Sequence, residues 1–509
     1  MTSSLIRSRP RRATGRISVL VMHAVLGVLI AVAWPASPGM TSGPDAPVAV
    51  GSERPVASAS AQQEPDDSSA GDLVLPLVAA VAAVAVAGYG YVRRTRRART
   101  RTTPGGEPVR AAGPPLGDLD ERARALLVDA DDWVRTSREE LSFAGALAGT
   151  EAVAPWARAL RDAETELASA FRMRQRYDDG VPEDEARRRQ VLAGIVGRCE
   201  EAGRRLDAEA AGFDQLRGLE AGVGGALEVA EARFRELTAR TASADTTLSE
   251  LGERYGPAAG ADVSGYVEQA KDRLVFATSR LNEARQGADL GETERAVRNL
   301  RAAEGAVAQA AVFIDGVERR AAELATAAGL VAPALTGGEA EIAGARERAA
   351  SAPGGRSDVR ISHADGVLAD VREEVTGGPY DPMEALRRIV RGVVPVADGR
   401  AGVLPTAAAL LAHSSAGAAE DHIATHRAAV GCTPRTRLAE ARRLLTATPG
   451  LTDLLTADAL ARRARELADQ DARTPARPPT PTPASFGGPR TRARREQPAH
   501  DDPTPGPRA

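Results

Sequence analysis

The chain has 509 residues, with 66 basic and 69 acidic side chains and a net charge of −3 at pH 7. This near balance argues against a general nucleic-acid binder, whose surface would carry a large positive excess. Alanine, leucine, arginine and glutamate dominate while aromatic residues make up only 3% of the chain, so we predict an all-α protein with almost no strand.

The first apolar stretch runs from residue 17 to residue 34 and follows five arginines. A basic flank before an apolar core is typical of a secretory signal peptide or a signal anchor. The sequence leaves both interpretations open for residues 1–34, and with them the question of cleavage. Both place the N-terminus on the cytoplasmic side.

Residues 35–72 carry six acidic side chains and a single basic one, Arg54. Because both flanking regions are basic, the positive-inside rule places this segment outside the cell. It is rich in proline, serine, alanine and glycine, and it buries too little apolar surface to offset the entropy of ordering. We therefore predict a disordered extracytoplasmic segment.

A second apolar stretch, residues 73–92, contains no charged side chain. At about 1.5 Å per residue, a helix of this length crosses the hydrocarbon core of a bilayer, which is about 30 Å thick. The basic juxtamembrane linker that follows, residues 93–115, predicts a cell-membrane protein with one or two spans and with residues 93–509 in the cytoplasm. Its arginines would also attract anionic membrane lipid. The cluster consists of Arg93, Arg94, Arg96, Arg97, Arg99 and Arg101.

Apolar residues at alternating spacings of four and three predict a long helix with a continuous packing seam. Many seam positions are alanine, which lets neighbouring helices approach closely and favours antiparallel bundles or coiled-coil hairpins. Self-association or binding of a protein partner through the seams is the alternative. The long seam comprises Ala296, Leu300, Ala303, Val307, Ala310, Ile314, Val317, Ala321, Leu324, Ala328 and Val331. A shorter seam comprises Leu192, Ile195, Cys199, Ala202, Leu206, Phe213 and Leu216.

Glycine and proline divide the cytoplasmic part into segments. Breaks at 149–155, 180–182, 222–225, 252–260 and 287–291 predict an elongated antiparallel array of long helices over residues 116–350. Closer breaks predict a less regular helical subdomain over residues 351–470. Ten prolines and seven arginines after residue 470 predict a disordered tail over 471–509. The closer breaks fall at Pro353, Gly377, Gly378, Pro379, Pro395, Pro405, Pro434 and Pro449.

Residues that could carry chemistry are few. Lys271 is the only lysine and lies outside any glycine-rich phosphate loop. Cys199 and Cys432 are too few for a structural zinc site, and we interpret both as structural thiols in a reducing compartment. His422 and His426 have a chelating spacing, but no glutamate follows His422 as a metalloprotease site requires.

An acidic stretch around Pro182 resembles the metal motif of helical prenyl-transfer enzymes only superficially. Gly180 and Pro182 interrupt it, and acidic residues after Pro182 are suited to a helix N-terminus. We therefore predict a helix cap here, and we assign no catalytic, cofactor-binding or metal-ligating residue anywhere in the chain. The stretch consists of Asp178, Asp179, Glu183, Asp184 and Glu185.

Several segments resemble the helical region of actinobacterial TPM-domain membrane proteins. They are residues 131–137, 140–144, 170–175, 178–179, 182–183, 198–200, 206–207 and 213–217, within a resemblance that covers residues 116–400. In that family a secreted α/β TPM domain, linked to phosphatase-like activity, precedes the membrane helix. Here residues 35–72 occupy that place and are too few for such a domain, so the activity is not carried over.

These observations predict a membrane-anchored, cytoplasmic, helical interaction or scaffold protein rather than an enzyme, without a cofactor and without nucleic acid as a partner. Two alternatives stay open. The chain is a degenerate TPM-family protein that works with a separate phosphatase-like TPM protein, or a helical enzyme with an unrecognised metal or lipid site.

Overall fold

The computed structural model describes residues 114–351, 355–399, 402–446, 448–474 and 485–496. These ranges form twelve α-helices and one 3-10 turn, without any β-strand, which confirms the predicted all-α class. The helices are α1 (Leu116–Ala148), α2 (Ala154–Asp179), α3 (Glu185–Arg217), α4 (Gly224–Tyr255), α5 (Tyr266–Asp289), α6 (Thr293–Ser351), α7 (Gly355–Gly377), α8 (Pro382–Val393), α9 (Val403–Thr425), α10 (Cys432–Thr446), α11 (Leu451–Arg473) and α12 (Pro489–Glu496).

The sequence predictions for residues 1–113 lie outside the described residues. They include the two apolar stretches at 17–34 and 73–92, the acidic segment between them and the arginine cluster that follows. Among the helices that the structure describes, none combines the length and the apolar character needed to span a bilayer. The membrane anchor therefore stays a prediction from sequence.

Helices α1, α2 and α3 form the first bundle. Arg138 pairs with Glu164 at 2.7 Å, while Arg174, near the end of α2, pairs with Asp120, near the start of α1. Helices α1 and α2 are therefore antiparallel, as expected from the short connection between them. The predicted short seam lies on α3 and is confirmed, because all its members are buried except Leu216, which is partly buried.

The long seam packs α6 against α5. Tyr266 stacks edge-on against Phe313 with ring centroids 5.2 Å apart, and Arg280 donates to Asn299 at 3.3 Å. These pairs show that α5 and the first half of α6 are antiparallel. The predicted seam is confirmed, since nine of its eleven members are buried and Ala321 and Ala328 are partly buried. Alanines line both helices here, so the backbones lie close together.

The second half of α6 packs against the later helices. One apolar core joins Leu324 and Ile342 of α6 to Leu386 of α8, Leu411 of α9 and Ala461 of α11. The helices of the predicted less regular subdomain, residues 351–470, share this core with α6, which ends at residue 351, so the core extends across the predicted boundary. Closely spaced breakers indicate shorter helices, but they do not reveal which core those helices share.

Two of the predicted breaks are helix starts instead. Pro405 lies in the first turn of α9 and Pro434 in the first turn of α10. Proline is tolerated there because the first N–H groups of a helix have no intrahelical acceptor. Pro333 lies inside α6.

We predict opposite effects for two helical glycines replaced by alanine. A Cβ at Gly287 would lie 3.0 Å from the backbone nitrogen of Ala296, whereas Gly329 has no neighbour within 4 Å. Gly287→Ala should lower the free energy of unfolding by about 1–3 kcal/mol, because α5 must move away from α6. Gly329→Ala should raise it by about 0.5–1 kcal/mol. Urea denaturation of both variants measures this; equal effects would contradict the close approach of α5 and α6.

Candidate functional site

A short segment, residues 485–496, lies in a groove between α1 and α3. Phe486 is 1% exposed and stacks on Phe213, with ring centroids 4.5 Å apart and an interplanar angle of 22°. Trp156 packs edge-on against Phe213 with centroids 6.0 Å apart. Burying a phenylalanine contributes about 1.5–3 kcal/mol, so Phe486 is the apolar anchor of the segment.

Asp207 of α3 binds the backbone of this segment. Its Oδ1 accepts from the Gly488 nitrogen at 2.9 Å, the Thr491 nitrogen at 3.0 Å and the Thr491 hydroxyl at 2.7 Å. Its Oδ2 accepts from the Arg490 nitrogen at 3.1 Å. A carboxylate from another helix thus caps the N-terminus of α12, where free N–H groups and the helix dipole favour negative charge.

Glycines allow the backbone of residues 485–496 to lie close to α3. A Cβ at Gly203 would lie 2.6 Å from Cδ of Pro489, and one at Gly488 would lie 2.2 Å from the Gly203 carbonyl oxygen. Gly487 has a φ of 139°, which a side chain would strain, and its nitrogen donates to the Ser137 hydroxyl at 3.2 Å. The groove therefore selects a backbone with two consecutive glycines after the aromatic residue.

The groove corrects the prediction of a disordered tail, which is wrong for residues 485–496. The prediction of disorder rested on the overall proline and arginine content. The local feature that it overlooked is Phe486, the single aromatic residue after position 470, followed by Gly-Gly-Pro. Sequence reasoning singled out Phe213 as a seam position, and Ser137 and Asp207 only as part of a family resemblance. It missed the groove, because the residues that form it lie about 280 positions or more before their partners.

A buried network of ion pairs joins the last helices to the first bundle. Arg135 pairs with Asp131 at 2.8 Å and with Glu420 of α9, and Arg435 of α10 pairs with Asp131 at 2.6 Å and Asp132 at 2.7 Å. Burial alone would raise the pKa of Asp131, but the two guanidinium groups lower it to about 2. The shared carboxylate therefore stays ionised and holds α1, α9 and α10 together.

A second buried cluster lies where α1, α3 and α6 meet. Arg217 donates to both carboxylate oxygens of Glu304, at 2.8 and 2.7 Å, and its Nε lies 3.8 Å from Glu140. Burial and the neighbouring Glu140 carboxylate raise the pKa of Glu304 to about 8, although Arg217 opposes them. Glu304 is therefore largely protonated at neutral pH.

This pKa predicts a pH dependence of stability. Between about pH 4.5 and pH 8 the native chain keeps a proton on Glu304 that the unfolded chain releases, so the free energy of unfolding falls as pH rises. The free energy of unfolding falls by at most about 1.4 kcal/mol per pH unit. We expect Glu304→Gln to flatten the stability profile between pH 6.5 and 8 in chemical denaturation.

The matched control is Glu294→Gln, which alters an exposed carboxylate on the same helix. That variant should keep the wild-type slope. An unchanged slope in Glu304→Gln would show that the buried carboxyl group is ionised across this range.

Of the residues considered from sequence for chemistry, the two cysteines share one apolar core, the two histidines lie at the end of α9 and Lys271 lies on α5. Cys199 and Cys432 are free and buried, and burial raises the pKa of Cys199 to about 12, which suppresses its thiolate. His422 and His426 stack with centroids 4.3 Å apart, and burial lowers the pKa of His422 to about 4. Lys271 is exposed and pairs with Glu268 at 2.7 Å.

The acidic stretch forms a helix cap, as predicted. The Asp184 side chain accepts from the Arg187 nitrogen at 2.8 Å at the start of α3. Asp178 pairs with Arg174 at 2.6 Å, and Asp179 pairs with Arg437 at 3.3 Å. Within the described ranges, no group of three or more histidine, cysteine, aspartate or glutamate residues is placed to hold a metal ion.

Two relatives from Mycobacterium tuberculosis are similar to this chain. It is 30% identical over 354 residues to the UPF0603 protein MT2410 of strain CDC 1551 and to the UPF0603 protein Rv2345 of strain H37Rv. Each match covers 66% of this chain and 53% of the relative, so the chain spans about half the length of the curated relatives it matches. No family model matches the chain, and no solved structure matches it at a significant level.

Proposed function

We propose that this chain is a membrane-anchored helical interaction protein whose groove between α1 and α3 binds an extended peptide segment. The anchor and the cytoplasmic side come from residues 73–101 of the sequence, with their apolar stretch and arginine cluster. The groove that holds residues 485–496 is the observation that carries the proposed interaction. It recognises one aromatic ring, a glycine pair and the start of a short helix.

The groove supports this proposal better than the packing seams do. Both seams are occupied by helices of this chain, so they leave little apolar surface for a partner. By contrast, the five hydrogen bonds that tie residues 487–491 to the bundle all end on Ser137 and Asp207. Release of the segment would break those bonds and expose Phe213 without breaking a helix.

The partner that fits has the chemistry of the segment itself. An aromatic residue fills the pocket beside Phe213, the second of two glycines passes Gly203, and the N–H groups of a helix start face Asp207. Such a segment belongs either to a second copy of this chain or to another protein at the same membrane face. The resemblance to the helical part of TPM-domain proteins supports a non-catalytic role of this kind.

A peptide competition tests the proposal. We expect full-chain Phe486→Ala to bind a labelled peptide of residues 485–496, because the groove has lost its own anchor. The wild-type chain should bind the same peptide at least about tenfold more weakly, because its own tethered segment competes for the groove at a high effective concentration. Fluorescence anisotropy measures both affinities.

Two controls define the site in this experiment. A peptide with alanine at the Phe486 position should not bind, and the double variant Phe486→Ala/Asp207→Ala should lose binding of the unaltered peptide. Circular dichroism checks that both variants keep their helices. If folded Phe486→Ala chain fails to bind the peptide, the groove is a structural contact only and the proposal is wrong.

A further inference from the structure

A polar cleft lies between α6, α8, α9 and α11, and its described lining residues are different from those of the groove that holds residues 485–496. It encloses about 340 Å³, within the range of small-molecule sites. Its floor depends on Gly316, where a Cβ would lie 2.8 Å from the Tyr266 ring and 3.2 Å from Asp421. The chain therefore keeps this space open with a glycine.

The α6 wall of the cleft is electrostatically paired. Arg319 pairs with Asp421, and Arg320 lies 3.8 Å from Asp381 and donates to the Ala259 carbonyl at 2.9 Å. These arginines already have carboxylate partners. A ligand would gain little from contact with that wall alone.

On the wall formed by α8 and α11, Arg387 pairs with Glu384 at 2.8 Å and Glu466 pairs with Arg463 at 3.0 Å. Asp458 is 2% exposed and is shared by Arg391 at 2.9 Å, Arg387 at 3.5 Å and the Ser415 hydroxyl at 2.6 Å. The Nε of Arg387 is buried and has no hydrogen-bond partner among the described residues. The carboxylate of Asp458 is thus fully engaged, while Arg387 keeps a free donor.

Two further arginines line the cleft on the same face of α11. Arg462 and Arg465 follow Asp458 at spacings of four and seven, are half-buried, and have no carboxylate within 4 Å in the described part of the chain. Arg465 donates to the Ala418 carbonyl at 3.0 Å. Asp262, on the opposite side, is the one lining carboxylate without an ion pair among the described residues. The described lining has six carboxylates and five arginines, so this face is distinguished by two arginines without a carboxylate partner rather than by a net positive charge.

We propose that this cleft binds a small molecule that carries an oxyanion, a phosphate or a carboxylate, held by Arg387, Arg462 and Arg465. Guanidinium groups donate paired N–H bonds that match the oxygens of either anion. The anion supplies the oxyanion partner that Arg462 and Arg465 lack. The volume of the cleft leaves space beside the anion for an organic part of the ligand.

Titration of the full chain with inorganic phosphate and, separately, with acetate tests this site. Saturable binding of at least one probe is expected by calorimetry at low ionic strength. The double variant Arg462→Gln/Arg465→Gln should weaken that binding about tenfold or more, because two charge-assisted contacts are lost. The melting temperature in the absence of ligand checks that the double variant is folded.

Arg473→Gln is the matched control, because Arg473 lies at the exposed end of the same helix and pairs with Asp469. It should bind the probes as the wild type does. Phosphate binding alone identifies a phosphorylated ligand, and acetate binding alone identifies a carboxylate. Absence of binding by both probes, or equal loss in Arg473→Gln and the double variant, would overturn the proposal.

Discussion

The fold depends on one shared carboxylate. Asp131 binds Arg135 of its own helix and Arg435 of α10, while Arg135 also reaches Glu420 of α9. These contacts join residues about 300 positions apart and bring the end of the helical region back onto its beginning. Removing one member of such a buried set leaves an uncompensated charge and costs about 3–5 kcal/mol. The first bundle, and the groove on it, keeps its shape because the last helices cover it.

This closed arrangement decides which surfaces are available for binding. The apolar seams that predict self-association are used within the chain, where alanine brings α5 and α6 close together. Two polar-edged sites with different chemistry lie outside these seams. The groove on α1 and α3 offers an aromatic pocket and a carboxylate for backbone N–H groups, whereas the cleft near α11 offers guanidinium groups. Both sites use charge placed on rigid helices, which favours selective recognition.

The sequence predicts the helices far better than their arrangement. Spacing of apolar residues identifies the seams of α3 and α6, and glycine and proline locate most helix ends, because these signals are local. The groove escapes prediction because Asp207, Gly203 and Phe213 serve a segment about 280 residues later, and nothing in the local pattern links them. The proline and arginine content of the tail likewise gives no indication that Phe486 is buried. Pairings such as Arg435 with Asp131 are equally invisible, since many arginines and acids could pair.

Hydrogen–deuterium exchange of the full chain tests the central claim that the groove holds a releasable segment. The backbone N–H groups of Gly487, Gly488, Arg490 and Thr491 donate to Ser137 and Asp207. They should exchange more slowly than in the free peptide and faster than the core of α6 around Leu300, because release needs only local opening. Exchange as fast as in the free peptide would show that the segment does not occupy the groove. Exchange as slow as in α6 would show that it cannot leave.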